Sequence, residues 1–531
     1  MGIPSYFKHI IKQYGDIFTS IQSCAEVHNL YIDSNSVIYD ALRRLTFGEQ
    51  EMNDQFEERL MEETCNTLLS YIETIRPTKR VFIAFDGVAP VAKLEQQRQR
   101  RNKSVFFRVL EGEVKERWNI PETRSWDQTA ITPGTAFMAK LDTYVDDFFR
   151  VNAPSFCNEI IISGSSHVGE GEHKIFSYIR DHPEPHRTQT SLVYGLDADL
   201  IMLCLQHLSY SKKIYLFREI PDYERDLQRT LEGETLCVMQ IQALSQIIVQ
   251  EMTLHKPTQI PRQKIQDYIF ISFLLGNDFL PHFPALNIRT NGIDILIGAY
   301  REVCPPNKSI CTGKGIDWKM CRSLIEHISQ KEFDFIQHEY KTMRRWKNMA
   351  ERPPTTYEEH VRKMQLIPCR SREREEFIDP SHKGWEFRYY KALFDIEIDD
   401  EYRKKICRNY LEGLEWTYHY YREGCRNYQW SYRYHYPPLL KDLVRYMPQF
   451  ETNFVEENYH TVTPLQQLCY VIPKEAYHLL PIKAAKQLHK QREAMEEVYK
   501  EDKPFVWAFC KYLWESHITL PDVPIEAMPL E

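Results

Sequence analysis

The sequence lacks the cysteine spacing of a zinc site, and it has no excess of positive charge. Its 13 cysteines are scattered from Cys24 to Cys510, and no pair is separated by only two residues, so neither a zinc ribbon nor a zinc finger is supported. The formal net charge of −8 argues against a protein that coats nucleic acid non-specifically, because such binding needs a broad basic surface. A local basic pocket remains compatible with this charge.

Long apolar stretches are also missing. No segment approaches the length of a membrane span, and the chain does not begin with an apolar targeting segment. We therefore expect a soluble protein without a membrane partner. The odd number of cysteines fits free thiols in a reducing compartment, so a cytoplasmic location is expected and a nuclear one stays open.

What the chain does contain is an average globular composition and a change of pattern along its length. Up to about residue 287, apolar runs alternate with helical patterns in the rhythm of βαβ units, which predicts an α/β fold with a mostly parallel sheet flanked by helices. Proline pairs and a charged run then interrupt the pattern. We predict a core over 1–300, a connecting segment over 301–379 and a mainly helical, aromatic-rich region over 380–531.

Acidic side chains follow five of the apolar runs. Short apolar runs are typical of strands buried on both faces, and an open α/β sheet binds its ligands beyond the carboxyl ends of such strands. The acids are therefore expected to converge on one edge of the sheet. They are Asp33, Asp86, Glu170, Glu172, Asp197, Asp199 and Asp278.

The structural alternative is that each acid caps a helix or forms an Asx-turn, which is what a single Asp after a strand most often does. The two doublets favour a common site, because Glu170 and Glu172, like Asp197 and Asp199, are spaced so that both carboxylates can point the same way. Such a set repels itself unless cations lie within it, and hard oxygen ligands suit Mg²⁺ or Mn²⁺. The hypothesis is a site with two metal ions that cleaves phosphodiesters.

A basic helix face follows Asp86. Residues Lys93, Gln97, Arg100 and Arg101 have helical spacing and share one face. Their donors suit a terminal phosphate, with Arg making bidentate contacts and Lys acting as a point charge. An exposed basic helix face is the alternative, and the residues alone leave both interpretations open.

Two further segments carry polar or aromatic patterns. The glycine-rich turn over 163–174 contains Glu170 and Glu172, whose charge opposes a nucleotide phosphate, so metal ligation is favoured there. The aromatic runs over 416–421 and 428–437 offer ring faces for unpaired bases, although most such aromatics serve the core.

These motifs together resemble the Xrn-type 5′-to-3′ exoribonucleases over almost the whole chain. The matching segments include Met1-Gly2-Ile3-Pro4, Asp86-Gly87-Val88-Ala89-Pro90, Gln96-Gln97-Arg98-Gln99-Arg100-Arg101, Gly169-Glu170-Gly171-Glu172-His173-Lys174, Gly195-Leu196-Asp197-Ala198-Asp199 and Gly276-Asn277-Asp278-Phe279-Leu280-Pro281-His282. Further on, Glu412-Gly413-Leu414-Glu415-Trp416 and Tyr434-His435-Tyr436-Pro437 look like the family's second conserved region.

The resemblance implies a PIN/flap-nuclease-like core whose active site is walled by the second conserved region. It implies hydrolysis of single-stranded RNA with a 5′-monophosphate to mononucleotides, with the seven acids binding two divalent ions and Lys93, Gln97, Arg100 and Arg101 binding the 5′-phosphate. Tyr39 stands where the family commonly has a base-stacking His, and Trp430 is the expected second stacking residue. A monomer is expected, and no protein partner is identified.

Two alternatives are weaker. A flap-type, structure-specific DNA nuclease shares the acid-rich core, but here Asp278 is followed by Phe279-Leu280-Pro281 rather than by a glycine-rich helical hairpin. A catalytically inactive scaffold that binds RNA ends is opposed by the complete set of acids.

Overall fold

Seven strands form the central sheet of the computed structural model, in the order β1-β7-β6-β5-β2-β3-β4. Neighbouring strands from β6 to β4 run parallel, whereas β7 and β1 are antiparallel additions at one edge. The predicted α/β fold with a mostly parallel sheet is confirmed. The strands are β1 (Phe18–Thr19), β2 (Asn29–Asp33), β3 (Arg80–Ala84), β4 (Glu159–Ser163), β5 (Ser191–Tyr194), β6 (Ile214–Glu219) and β7 (Leu236–Gln240).

The structure describes residues 2–24, 26–122, 124–221, 224–255, 259, 261–397, 399–494 and 505–530. Two small antiparallel pairs lie outside the main sheet, namely β8 (Cys311–Thr312) with β9 (Gly315–Ile316) and β10 (Phe505–Val506) with β11 (His517–Ile518).

Helices flank the sheet and make up most of the C-terminal region. In the first 300 residues they are α1 (Tyr6–Tyr14), α2 (Asn35–Arg44), α3 (Asn53–Ile75), α4 (Val91–Arg117), α5 (Ala136–Asn152), α6 (Gly171–Asp181), α7 (Pro183–His186), α8 (Asp199–His207), α9 (Arg225–Thr230), α10 (Ile241–Thr253), α11 (Arg262–Ser272) and α12 (Gly292–Val303). The later helices are α13 (Trp318–Ser329), α14 (Glu332–Ala350), α15 (Tyr357–Met364), α16 (Ile367–Arg370), α17 (Glu373–Ile378), α18 (Trp385–Phe394), α19 (Asp400–Arg422), α20 (Leu440–Tyr446), α21 (Pro464–Val471) and α22 (Ile482–Ala494).

The strand alternation divides the core into two layers. Leu30 and Ile32 of β2 face the layer that contains α2, α3 and α5, whereas Tyr31 faces the layer that contains α6, α8 and α10. All three side chains are fully buried, because the central strands of a parallel sheet are covered on both faces. Their carboxyl ends are left as the accessible edge between the two helical layers.

The helical C-terminal region packs directly on this fold. The hydrophobic cluster on the α6, α8 and α10 side extends without interruption from Ile3 to Phe509 and includes one face of α19. The regions on either side of the predicted boundaries near residues 300 and 379 therefore share one hydrophobic core, and the boundaries remain predictions. No helix in the described ranges is long and apolar enough to traverse a bilayer.

Candidate active site at the carboxyl edge of the sheet

Six of the seven predicted acids lie at or just beyond a strand end, or at a helix start. Asp33 is the last residue of β2, Glu170 is the N-cap of α6, and Asp199 is the first residue of α8. Asp86 follows β3 and Asp197 follows β5. The parallel register of these strands brings their ends to one edge, as the sequence predicted.

Asp278 reaches the same edge from an element that the sequence pattern did not identify. The apolar run Phe273–Leu275 was expected to be a strand, and that expectation is wrong: it is a 3₁₀ turn that continues α11. Periodicity cannot distinguish a short buried strand from a helix buried on all sides, and every residue from Lys264 to Leu275 is buried. The acid is placed by the turn after the helix rather than by a strand end.

Side chains from these elements line one cavity of about 160 Å³. Five of the acids line it, together with the whole predicted basic face and Tyr39. The acids are Asp33, Asp86, Glu170, Glu172 and Asp197. Asp199 and Asp278 join the group behind this lining: Gly2 donates its backbone N–H to Asp278 Oδ1 at 3.0 Å and lies against Asp199.

Close backbone approach is needed where α6 begins. A Cβ atom on Gly171 would lie 2.5 Å from Asp33 Oδ1, so only glycine lets the helix start meet the end of β2. The Gly171 N–H donates to Asp86 Oδ1 at 2.8 Å, while Asn35 donates to Asp86 Oδ2 at 2.8 Å and accepts from the Asp86 N–H at 3.0 Å. Asp86 is thereby fixed on both carboxylate oxygens.

Burial and mutual repulsion raise the pKa values of several acids. Burial, followed by the charges of Asp86 and Asp197, raises the pKa of Asp33 well above its usual range. Burial also raises the pKa of Glu172, and burial with the neighbouring Asp278 raises the pKa of Asp199 to about 7. Asp33 Oδ1 and Asp199 Oδ1 are buried and have no hydrogen-bond partner in the described part of the chain. These orphaned acceptors fit a divalent cation.

The ligand atoms of Glu170, Glu172 and His173 all lie within 4.8 Å of one another, which is compatible with binding to one ion. His173 was not among the predicted site residues, although it belongs to the Gly-Glu-Gly-Glu-His-Lys motif. Burial lowers its pKa well below the usual value, so its imidazole is neutral and its Nδ1 has no partner among the described residues.

Lys93 binds carboxylates. Its ammonium Nζ lies 2.8 Å from Glu170 Oε1 and 2.9 Å from Asp278 Oδ2, and its side chain is only 12% exposed. Burial would lower the pKa of Lys93, but Asp278 and then Glu170 outweigh it and raise the pKa well above its ordinary value. Burial would raise the pKa of Asp278, yet Lys93 holds it below its usual range. Lys93 is thus a permanent cation within the acid cluster.

The other three residues of the basic face are open to the cavity. Gln97 and Arg101 are buried, and Arg100 is exposed at the mouth. Arg101 donates to the Ile131 carbonyl at 3.2 Å, while its Nε has no partner within the described residues. Burial lowers the pKa of Arg101 to about 10, which leaves it charged at neutral pH. A buried guanidinium with a free donor suits an anionic ligand.

The two predicted stacking residues have different environments. Tyr39 of α2 is half-buried and lines the cavity. Trp430 stacks on Trp416 of α19, with ring centroids 5.1 Å apart, and is not among the residues that line the cavity. Its neighbour Tyr428 accepts a hydrogen bond from the Val91 N–H at 2.8 Å, so the segment passes the first residue of α4.

Two tyrosines of α19 touch the acids, and sequence reasoning did not single them out. Tyr420 donates to Glu170 Oε2 at 2.7 Å, and the Tyr421 hydroxyl lies beside the Asp199 carboxylate. The sequence feature that contains them is the aromatic run over 416–421. In such a run, tyrosines that only pack in the core cannot be distinguished from tyrosines that contact an acid.

Comparisons with known proteins match both parts of the chain. Residues 1–220 match the family model described as XRN 5′-3′ exonuclease N-terminus, and residues 260–375 and 370–528 match the model described as Xrn1 helical domain. The chain is 26% identical over 581 residues to 5′-3′ exoribonuclease 1 of Homo sapiens, with 98% of this chain and 33% of that protein covered.

A similar relationship holds for two other relatives. The chain is 25% identical over 690 residues to the 5′-3′ exoribonuclease 2 homolog of Caenorhabditis briggsae, covering 98% of this chain and 70% of that protein. It is 24% identical over 638 residues to 5′-3′ exoribonuclease 1 of Saccharomyces cerevisiae, covering 94% of this chain and 41% of that protein. The chain thus spans a third of the human relative's length and more than two thirds of the nematode relative's length.

Proposed function

The chain belongs to the XRN 5′-3′ exonuclease family, and we propose that it degrades single-stranded RNA with a 5′-monophosphate to mononucleotides in the 5′-to-3′ direction. The observation that carries the proposal is that one cavity is lined both by five of the seven acids and by the basic face of α4. Acids alone suit the cleavage of any phosphodiester. The basic face beside them gives a means of recognising one kind of RNA end.

The cofactor of this proposal is a pair of Mg²⁺ or Mn²⁺ ions bound by the acid cluster. The donor set supports hard cations, because it consists of carboxylates, and a buried oxygen of Asp33 and one of Asp199 have no hydrogen-bond partner among the described residues. When bound, such ions supply activation of the attacking water and stabilisation of the leaving oxygen. Asn35 and the Gly171 N–H hold Asp86 ready as a ligand.

The proposed 5′-phosphate ligands are Gln97, Arg100 and Arg101, with Lys93 between them and the acids. Among the described residues, the buried Arg101 Nε is a hydrogen-bond donor without a partner, which suits a phosphate oxygen, and Gln97 would contribute the N–H groups of its amide. Lys93 neutralises part of the acid cluster and so reduces the repulsion that an incoming phosphate meets. Capped and triphosphorylated ends would match these donors poorly.

Stacking on the first base is proposed for Tyr39, whose ring lines the same cavity. We also propose that Trp430 stacks on a base, because its segment passes the start of α4. We further propose a cytoplasmic location and a monomer, with single-stranded RNA as the substrate.

The test is digestion of 3′-end-labelled RNA that bears a 5′-phosphate, 5′-hydroxyl, triphosphate or cap, with Mg²⁺ or with EDTA. Release of mononucleotides is expected only from the 5′-phosphorylated RNA with metal present. Asp199→Asn should abolish release, because it removes the charge of one ligand and keeps the shape. Cleavage of a DNA flap in preference to RNA would favour the structure-specific nuclease, and RNA binding without turnover would favour the inactive scaffold.

The phosphate pocket is tested separately with Arg101→Ala. This change should reduce the preference for 5′-phosphate over 5′-hydroxyl RNA, because a desolvated guanidinium contact to phosphate is lost. Arg108→Ala on the same helix is the matched control, since Arg108 is exposed and is not among the residues that line the cavity. Equal losses on both RNA ends in Arg101→Ala would contradict the pocket assignment.

A further inference from the structure

Two adjacent tyrosines of the C-terminal region contact two different acids of the site. Tyr420 donates to Glu170 Oε2 at 2.7 Å, and the Tyr421 hydroxyl lies beside the Asp199 carboxylate, whose charge together with burial raises the pKa of Tyr421 well above its usual value. All four side chains are at most 3% exposed, so bulk solvent has little access to them. A hydrogen bond to a buried ionised carboxylate is among the stronger ones in proteins.

The tyrosine rings are held in place from several sides. Tyr420 stacks on His173 with ring centroids 3.7 Å apart and on Trp416 at 4.7 Å, which encloses it between α6 and its own helix. Tyr421 meets Phe273 edge-on at 5.3 Å. Because the rings cannot turn, each hydroxyl has a fixed direction toward its carboxylate.

The helix that carries them is itself fixed on the loop of a third acid. Tyr410 of α19 donates to the Pro281 carbonyl at 3.0 Å, and a Cβ on Gly413 would lie 2.5 Å from Leu280 Cδ2. This loop begins directly after Asp278. Thus α19 is positioned against the loop of Asp278, while its two tyrosines reach two other acids of the same site.

The contacts with the tyrosines leave one oxygen of each carboxylate for a different partner. Glu170 Oε1 faces the Lys93 ammonium at 2.8 Å, and Asp199 Oδ1 is buried without a partner among the described residues. A tyrosine hydroxyl on one oxygen therefore fixes the rotation of the carboxylate and directs the remaining oxygen into the acid cluster.

We propose that Tyr420 and Tyr421 are positioning residues, which orient Glu170 and Asp199 for binding of divalent cations and so make the C-terminal region part of the metal site. The proposal rests on the proposed function only in taking the acid cluster to bind metal. Partners that orient metal ligands typically change metal affinity by 10–100-fold when they are removed.

The experiment compares Tyr420→Phe and Tyr421→Phe with the wild-type chain, because these changes remove a hydroxyl and keep the ring stacking. Tyr418→Phe is the matched control: Tyr418 is a buried tyrosine of the same helix whose hydroxyl accepts a hydrogen bond from Arg422 at 3.1 Å, away from the acids. Binding of Mn²⁺ alone to each RNA-free protein is measured by calorimetry and by the electron spin resonance of free Mn²⁺.

We expect the Mn²⁺ dissociation constant to rise about 10-fold or more in Tyr421→Phe and Tyr420→Phe and to stay unchanged in Tyr418→Phe. In RNA digestion, the Mg²⁺ concentration for half-maximal rate should rise in the same two variants, while the rate at saturating Mg²⁺ stays within a few-fold of wild type. Unchanged Mn²⁺ affinity in both variants overturns the proposal, as does a wild-type chain that binds no Mn²⁺. A wild-type chain that binds Mn²⁺ and does not degrade RNA overturns the proposed function instead.

Discussion

Replacing Lys93 by Met would show whether this lysine stabilises the acid cluster. The substitution keeps the aliphatic stem and removes the ammonium that lies 2.8 Å from Glu170 and 2.9 Å from Asp278. Removal of one partner from a buried ion pair costs about 3–5 kcal/mol, because the remaining charge stays buried without compensation. An unfolding entropy of about 1.1 kcal/mol/K for 531 residues converts this cost into a fall in Tm of about 3–4 °C.

The expected fall depends on pH and on metal. The pKa of Lys93 is raised, so its ammonium persists throughout the neutral range and the stability it supplies is lost only at strongly alkaline pH. In Lys93→Met the acids can be neutralised by protons instead, and the pKa of about 7 for Asp199 places this neutralisation between pH 8 and pH 5.5. The difference in Tm from wild type should therefore be largest at pH 8 in EDTA, smaller at pH 5.5, and smaller when Mg²⁺ is added.

Thermal unfolding followed by circular dichroism measures these differences. Lys115→Met is the control on the same helix, because Lys115 forms a partly exposed pair with Glu111 at 3.2 Å that should contribute less than about 0.5 kcal/mol. A Tm for Lys93→Met within 1 °C of wild type at pH 8 would refute the role of the lysine, using the conversion of about 1.1 kcal/mol per degree. An equal decrease at pH 5.5 and pH 8 would assign the effect to packing rather than to charge.

Three other results are expected. In the metal-free wild-type chain the pKa values of several buried acids are raised, to about 7 for Asp199, so their contribution to folding stability is complete below pH 4 and is lost as the pH rises through 7. The Tm in EDTA should therefore fall from pH 5.5 to pH 8, and Mg²⁺ should raise the Tm more at pH 8. Gly87→Ala should lower both the Tm and the rate of RNA degradation, because a Cβ there would lie 1.7 Å from the His167 carbonyl oxygen. The control Gly298→Ala, where a Cβ meets open space, should stabilise the chain by ~0.5–1 kcal/mol, and equal Tm values for the two variants would contradict the prediction. Tyr39→Ala should raise the KM for 5′-phosphorylated RNA by roughly 5–150-fold, equivalent to about 1–3 kcal/mol of base stacking. Tyr39→Phe should keep the wild-type KM, and an unchanged KM in Tyr39→Ala would exclude stacking.

The convergence of the acids could be predicted because each acid belongs to a short local pattern. A buried strand followed by Asp determines both the element and the edge at which the carboxylate lies, as Asp33 and Asp86 show. Asp278 lies at the expected edge, but the element before it was predicted wrongly, because its apolar run is helical and not a strand. The expected location of Asp278 does not depend on this error, because a turn after a buried helix, like a strand end, can leave an acid at the edge of the sheet.

The partner of Lys93 could not be predicted from spacing. Helical periodicity places Lys93, Gln97 and Arg101 on one face, and in the structure this face lines the cavity. Periodicity does not say whether an ammonium on that face binds a phosphate or a carboxylate. That choice depends on where each position lies relative to the acids, and Lys93, nearest the first residue of α4, is the one that reaches Glu170 and Asp278.

The contribution of α19 was invisible in the sequence for a different reason. The bond from Tyr420 to Glu170 joins residues 250 positions apart, and adjacent residues on a helix point about 100° apart, so only the packing of α19 decides which tyrosines face the sheet. The same packing makes the two regions one unit. The shared hydrophobic cluster holds α19 on the sheet, and α19 places tyrosine hydroxyls beside two of the seven acids. A chain that ended near residue 300 would keep every acid and lose both donors. The proposed metal site is therefore complete only when the helical region has folded onto the sheet.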